Sequence, residues 1–196
     1  MSAPLTRSGR GRSAMIAAPI LVAAALLWHH LPDSLDVYGP FDVHGGFGTE
    51  AAGRALAVTV DDVQLTSQVF GATRLSSGPA VAAAGRWVVV SATVSATRQS
   101  VLPSVALRVG PNTYRPSDRF VAYTLSQRVD PGISQHGTWV FDVPPALFDP
   151  PGADPLALVV WPGLDERLDD RLVINLRGHL ESRTATVALT APELTG

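Results

Sequence analysis

Residues 85–97, GRWVVVSATVSAT, decide the fold. Apolar side chains recur at every second position from Val88 to Ala96, and from Ser91 onward hydroxyl-bearing side chains fill the positions between them. An alternation with a period of two is typical of a β-strand that has one buried face and one solvated face. The apolar face consists of Val88, Val90, Ala92, Val94 and Ala96, and the opposite face of Ser91, Thr93, Ser95 and Thr97.

Shorter segments of the same kind flank this strand. They are RALAVTV (54–60), SVALRV (104–109), RFVAYTL (119–125), GTWVFDVP (137–144), PLALVVW (155–161) and RLVINL (171–176). Sequences rich in Gly, Pro and Asp separate them, and no segment between them has a helical period over ten or more residues. This order predicts an all-β fold, an Ig-like antiparallel two-sheet β-sandwich over residues 54–179.

The same alternation predicts the core and one irregularity. We predict that Val88, Val90, Val94, Phe141, Leu158 and Ile174 are buried. The apolar parity of the first strand changes after Asp61 and Asp62, which predicts a β-bulge or a switch between sheets. Trp87, Trp139 and Trp161 lie in or beside strands, where aromatic side chains usually belong to the core or its rim.

The segments VTVDDVQL (58–65), GRWVVVSATVS (85–95), Pro131-Gly132 and WVFDVP (139–144) also carry a family resemblance. The chain resembles the telokin-like, immunoglobulin-like extracytoplasmic domains of bacterial lipoproteins and of mycobacterial secreted or anchored proteins, over residues 54–177. The resemblance implies a non-catalytic sandwich displayed outside the membrane. The chain departs from the lipoproteins because it has no cysteine to acylate.

Composition excludes several classes of protein. The 196 residues are 46% hydrophobic and 16% charged, which is too apolar for disorder and too lightly charged for a nucleic-acid binder. All fifteen basic residues are arginine, so lysine chemistry is absent, and there is no cysteine for a disulfide or thiolate site. The abundance of residues with GC-rich codons indicates a high-GC organism such as an actinobacterium.

Residues 13–31 predict a membrane anchor. These nineteen residues contain no Asp, Glu, Arg or Lys, and as a helix they would span roughly 28 Å, which is close to the thickness of the bilayer hydrocarbon. Three arginines precede them, so the positive-inside rule predicts a cytoplasmic N-terminus, residues 1–12, and a body outside the plasma membrane. A cleaved signal peptide with a site at Ala23 and Ala25 is the alternative, and it too exports the body.

The segments on either side of the predicted sandwich have weaker patterns. Residues 32–53 are rich in glycine and predict a spacer between membrane and domain. Residues 180–196 predict a C-terminal tail that adds an edge strand through Val187 and Leu189.

A cluster of carboxylates is the first candidate metal site. Asp165, Glu166, Asp169 and Asp170 lie within the loop DERLDDR (165–171) and could offer oxygen ligands to Ca²⁺. The interleaved Arg167 and Arg171 would compete as internal ion-pair partners. A solvated hairpin loop is therefore the favoured interpretation, and calcium is the alternative.

Other motifs have weaker chemical interpretations. Gly46, Gly48 and Ala51 fit G-x-G-x-x-A, but a dinucleotide site needs a strand before the motif and a helix after it, and neither is predicted. Ser134 and His136 have no third catalytic partner in sequence. His29, His30 and His44 could approach a metal, although adjacent histidines on a helix point about 100° apart.

We therefore expect a membrane-anchored, extracytoplasmic binding or scaffolding module that associates with another envelope protein. The alternative is an exported domain that binds a small ligand or a metal ion. We expect no catalytic residues, no cofactor and no nucleic-acid partner, although a triad assembled only in space would escape sequence reasoning. The lipid bilayer is the expected partner of residues 13–31.

Overall fold

The computed structural model describes residues 9–31, 38–73, 76–148, 155–182 and 186–196, and for residues 9–18 and 182 it describes the backbone alone. The chain divides into two compact units, Met1–Gly39 and Pro40–Gly196. Residues 1–8 of the predicted cytoplasmic segment and residues 32–37 of the predicted spacer lie outside the described residues.

The first unit contains the helix α1, Gly9–His29, with Pro19 inside it. Apolar side chains along it are exposed, namely Ile20, Leu21, Val22, Leu26, Leu27 and Trp28. In the part of the chain that the structure describes, no helix is long and apolar enough to cross a membrane. This finding leaves the predicted anchor at residues 13–31 unsupported.

The second unit is a β-sandwich of two sheets. In the described residues the smaller sheet has the order β1 (Phe41–Gly46), β9 (Asp170–Asn175), β8 (Leu156–Pro162), β5 (Pro103–Val109), β6 (Asn112–Tyr114). The larger sheet has the order β10 (Glu181–Ser182), β3 (Leu56–Ala72), β4 (Val81–Ala96), β7 (Ser134–Val143), β12 (Glu193–Thr195). β2 (Ala51–Ala52) and β11 (Val187–Thr190) also pair with β3, and 3₁₀ segments span Asp118–Tyr123 and Pro145–Phe148.

The inner faces of the two sheets form the core. All six residues predicted to be buried are completely inaccessible, and the three tryptophans are buried as well. In the register of β4 with β7, Val90 lies opposite Trp139 and Val88 opposite Phe141. The alternation in residues 85–97 therefore set the correct face of the central strand, and the prediction of these core positions is confirmed.

The phase change in β3 is a β-bulge. The register of β3 against β4 shifts between Val60 and Asp62, so that Val60 and Val63 both face the core. A second shift lies between Thr66 and Gln68. Beyond this second shift, Val69 does not belong to the main core between the sheets. It packs instead into a cluster with Trp87.

Part of the predicted spacer is sheet. β1 and β2 occupy residues 41–46 and 51–52, and β1 pairs in parallel with β9. Val43 packs against the core while its neighbours in β1 are more exposed, and the adjacent glycines concealed this alternation in the sequence. Gly48 has φ of 71° in the connection between β1 and β2, a conformation that favours glycine. A strand and not a helix follows the G-x-G-x-x-A motif, which removes the dinucleotide interpretation.

Two further predictions of detail are corrected. Residues 118–123 are a 3₁₀ segment and not a strand, because the Ser117 hydroxyl accepts the Arg119 N–H and the Phe120 ring turns onto Trp87. The C-terminal tail holds three short strands, and Leu189 of β11 is fully buried. β1, β10 and β11 pair in parallel with their neighbours, so the sandwich is mainly but not wholly antiparallel.

Candidate binding groove

A groove of about 550 Å³ lies on the outer face of the smaller sheet. It is lined by His44 and Gly45 of β1, Arg108 of β5, Pro155, Leu156 and Ala157 at the start of β8, Val173 and Asn175 of β9, and Arg177. A cavity of this size lies within the range of small-molecule and peptide-side-chain sites. The groove is therefore large enough to receive a ligand.

Strand alternation builds this groove. Leu107 and Val109 of β5 face the core, so Arg108 between them faces outward. In the pairing of β5 with β8 and of β8 with β9, Ala157 lies opposite both Arg108 and Asn175. The small alanine side chain leaves a floor between two larger polar neighbours, which are about 10 Å apart across two strand spacings.

The charge of the groove is one-sided. Its described lining residues include two arginines, a histidine and an asparagine, and none of them is acidic. The Arg108 guanidinium has no hydrogen bond or ion pair with any described residue, whereas Arg177 has interactions of its own. A guanidinium presents N–H donors in a planar fork that matches a carboxylate or phosphate. The arrangement is suited to an anionic group.

An ion-pair network borders the groove. The Arg171 guanidinium donates to Asp42 at 2.7 Å and to Glu166 at 3.0 Å. The hydrogen bond from Arg171 lowers the pKa of Asp42; burial opposes this effect, and the charges of Arg171, Arg108 and His44 add to it. Asp42 and Glu166 raise the pKa of Arg171 in turn, against the effect of its own burial. Arg108 of the groove thus lies close enough to Asp42 to contribute to the lowering of its pKa.

The four carboxylates proposed for calcium are each engaged by arginine. Arg167 donates to Asp165 at 2.6 Å, and this hydrogen bond lowers the pKa of Asp165. Glu166 accepts from Arg171 of the border network. The Arg54 side chain donates to Asp169 at 3.0 Å, and the Arg54 backbone N–H donates to Asp170 at 2.6 Å. Among the described residues no group of three or more potential ligands could hold a metal ion. The geometry therefore favours the solvated loop over the calcium alternative.

His136 has partners that sequence spacing could not reveal. Its Nδ1 lies 3.6 Å from Asp61 Oδ2 and 3.2 Å from the Thr93 hydroxyl, while Ser134 is opposite Ser95. In a catalytic triad the two ring nitrogens contact the carboxylate and the nucleophile separately. Here the hydroxyl and the carboxylate are both near Nδ1, so these three residues do not have the geometry of a triad. Of the other histidines, His29 ends α1, His30 follows it, and His44 lines the groove.

The tryptophan environments differ. The indole N–H of Trp139 donates to Leu125 O at 2.8 Å, and that of Trp87 donates to Val81 O at 3.0 Å. The Trp161 indole N–H is buried without a hydrogen-bond partner, and the Arg115 guanidinium lies 4.8 Å from its ring centre. A cavity of about 320 Å³ lies beside Arg115 and Trp139. Its described lining includes the carboxylate of Asp118, so it is less suited to an anion than the groove.

The comparisons with known proteins find two distant structural likenesses and no relative by sequence. No family model and no curated protein matches the chain. An uncharacterized β-sandwich protein from Clostridium difficile 630 is similar in structure at 14% identity and a TM-score of 0.48, over 70% of this chain and 96% of its own. The secreted protein MPT63 from Mycobacterium tuberculosis is similar at 20% identity and a TM-score of 0.44, over 69% of this chain and 98% of its own. These distant likenesses do not support the narrower resemblance to telokin-like lipoprotein domains, and they transfer no function.

Proposed function

We propose that this protein is an extracytoplasmic binding module, attached to the plasma membrane through residues 13–31, whose groove binds an acidic segment of another envelope protein. The sandwich supplies a rigid support and performs no chemical step. The proposal rests on one observation, the groove lined by Arg108, Arg177 and His44 and by no acidic residue among those described.

Charge supports this choice of ligand. Twelve arginines and seventeen acidic residues follow Ser13, so the exported part is acidic overall, with a net formal charge of −5. A basic groove on an acidic protein concentrates positive potential at one place, where it accelerates and orients the approach of an anionic segment. The Arg108 guanidinium has no ion-pair partner among the described residues. It can therefore donate hydrogen bonds to a carboxylate of a ligand without first breaking an internal ion pair.

Attachment to the membrane is proposed from the sequence of residues 13–31, because no described helix is long and apolar enough to cross a membrane. A helix that is apolar on every side has no polar face for water and belongs in a bilayer or in a protein core. Apolar side chains of α1 from Ile20 to Trp28 are exposed in just this way. The arginines Arg7, Arg10 and Arg12 precede this segment, which places the N-terminus in the cytoplasm and the sandwich outside.

A small carboxylate ligand is the second candidate. The volume of the groove is within the range of small-molecule sites, and the same guanidinium would bind a free di- or tricarboxylate. The two candidates share one chemistry and differ in the source of the carboxylate.

The direct test measures binding to the full chain in nanodiscs by fluorescence anisotropy. The probes are a labelled glutamate-rich peptide and, as its competitor, citrate. We expect Arg108→Ala to weaken peptide binding by about tenfold or more, because it removes a charge-assisted hydrogen bond. Arg119→Ala is the control, since Arg119 is an exposed arginine in the 3₁₀ segment Asp118–Tyr123 and does not line the groove.

A second arm identifies the natural source of the carboxylate. A photo-crosslinking amino acid at Ala157 should capture an envelope protein through an acidic segment, and Arg108→Glu should abolish the crosslink. If citrate binds tightly and no crosslink depends on Arg108, the small-ligand candidate replaces the protein partner. Equal binding of both probes by wild type and Arg108→Glu would refute the groove as the site.

A further inference from the structure

One end of the smaller sheet exposes large apolar side chains. Leu164 is 89% exposed, Phe41 60% and Leu168 55%, and Leu102 is also exposed. We call these four residues the apolar end. Exposed apolar residues scattered singly need no explanation, but a group of them at one place marks an interaction surface.

The topology brings these residues together. Phe41 starts β1, Leu102 precedes β5, and Leu164 and Leu168 lie in the loop that joins β8 to β9. β1, β9, β8 and β5 are consecutive in the sheet, so the four positions extend over roughly 15 Å, three strand spacings. Backbone hydrogen bonds connect them, from the Phe41 N–H to Asp169 O at 2.9 Å and from the Gly163 N–H to Leu102 O at 2.8 Å.

The loop between β8 and β9 exposes the Leu168 side chain and strains the backbone at that residue. Leu168 has φ of 57°, which a residue with a Cβ adopts only when its surroundings enforce it. The Arg54 side chain donates to Leu168 O at 3.1 Å and fixes this conformation. An exposed leucine in a strained conformation gains nothing from the solvent. A surface that covers it would restore the lost hydrophobic stabilisation.

Charges around the apolar end do not favour an anionic partner. Three arginines near it are held by carboxylates, Arg167 by Asp165, Arg171 by Asp42 and Glu166, and Arg54 by Asp169. No described arginine in these pairs is left over for a phosphate or an acidic protein surface. The apolar end must therefore associate through its apolar side chains.

The path of the polypeptide indicates which surface covers the apolar end. The second unit begins at Pro40, next to Phe41, so the polypeptide enters the sandwich at the apolar end. Ten residues separate His29, the end of α1, from Pro40. Even fully extended, such a connection reaches only about 35–40 Å. If residues 13–31 are held in a bilayer, this length sets the greatest distance that can separate Phe41 from the surface of that bilayer.

We propose that the apolar end rests on the membrane and inserts Leu164, Leu168 and Phe41 at the boundary between headgroups and acyl chains. This inference rests on the membrane attachment in the proposed function. It also orients the groove: from Phe41 to Gly46 β1 rises about 16 Å, and the groove lies at the Gly46 end, beside Asn175. The groove then lies farther from the lipid than the apolar end does and remains open to a partner.

The absence of cysteine makes a clean experiment possible, because one introduced cysteine is the only labelling site. The full chain carrying Leu164→Cys, labelled with a polarity-sensitive fluorophore, is incorporated into phosphatidylcholine nanodiscs. Asn112→Cys, in β6 at the opposite end of the sheet, is the matched control. We expect a blue shift and loss of iodide quenching at residue 164, and neither at residue 112. The same result is expected with anionic lipid and at high salt.

The outcomes separate the two proposals. If the chain enters nanodiscs and residue 164 remains accessible to iodide, the inference is wrong while the attachment stands. If residue 164 becomes protected only after another envelope protein is added, a protein partner covers the apolar end and the lipid proposal is overturned. If the chain does not enter nanodiscs at all, both the attachment and the inference fail. Combining Leu164→Cys with Leu168→Asp should restore quenching, which a merely local effect of the label would not predict.

Discussion

The outer face of the larger sheet is partly covered by other segments of the chain, whereas the outer face of the smaller sheet leaves a groove. On the larger sheet, Trp87, Val89 and Val140 point outward, and Phe120 and Leu189 cover them to form a second small core. On the smaller sheet, the outward positions Ala157, Asn175 and Arg108 are small or polar, and they leave a groove. The same two-residue period thus gives one face that contributes to stability and one that remains available for binding.

The difference lies in the segments that return across each sheet. The 3₁₀ segment Asp118–Tyr123 packs Phe120 against the larger sheet, and β11, which pairs along β3, adds Leu189 to the same cluster. On the smaller sheet Ala106, Val159 and Trp161 form a separate buried cluster, and the Arg115 guanidinium lies over the Trp161 ring. Substitutions on the two faces should therefore affect different properties.

The largest effect is expected between the sheets and serves as the reference. Phe141→Ala should lower the free energy of unfolding by about 3–5 kcal/mol, because it removes a fully buried aromatic ring and leaves a cavity. Chemical denaturation of wild type and variant gives the difference. A loss below about 1 kcal/mol would place β7 in the wrong register.

The covered outer face should respond more weakly, though still clearly. Leu189→Ala should cost about 2–3 kcal/mol, near the low end for a buried leucine, because β11 pairs along β3 alone and can partly collapse into the space. The same denaturation experiment tests it, with the exposed Leu194→Ala as control. If Leu189→Ala is as mild as Leu194→Ala, the tail is not a structural part of the larger sheet.

These two residues also show what the sequence could predict. Phe141 lies in a segment with a clear period, so its burial and its face followed from alternation. Leu189 lies in a short segment after a stretch without a strand pattern, where nothing local specifies parallel pairing with β3. The sequence did not predict the strand β1 for a similar reason, because glycines interrupt the alternation of its apolar residues.

The groove was less predictable than the core. Alternation in SVALRV could have shown that Arg108 faces outward, but its proximity to His44, Asn175 and Arg177 depends on the order of β1, β9, β8 and β5. Strand order is a long-range property that spacing in the chain does not encode. The same holds for the contacts among Asp61, Thr93 and His136, because these residues belong to three different strands, β3, β4 and β7.

A pH-dependent effect is expected at the border of the groove. The pKa of Asp42 is lowered in the folded protein, so its contribution to stability is present above the ordinary value of 3.8 and is lost as the pH falls through the lowered value. Asp42→Asn should therefore be less stable than wild type at neutral pH, by less than about 1 kcal/mol for so accessible a pair. The difference should shrink below about pH 4. Unfolding curves across this range provide the measurement, and Glu50→Gln, at an exposed carboxylate, is the control.

The smallest effect on stability is expected in the groove itself. Arg108→Ala should change the free energy of unfolding by no more than about 0.5 kcal/mol, because its guanidinium has no partner among the described residues. Arg171→Ala provides the contrast, since it leaves Asp42 and Glu166 without their ion-pair partner and should be the more destabilising of the two. Denaturation curves for the two variants, collected at neutral pH and low salt, distinguish these expectations. A larger loss for Arg108→Ala than for Arg171→Ala would mean that Arg108 supports the fold, and its availability for a carboxylate ligand would then be lost.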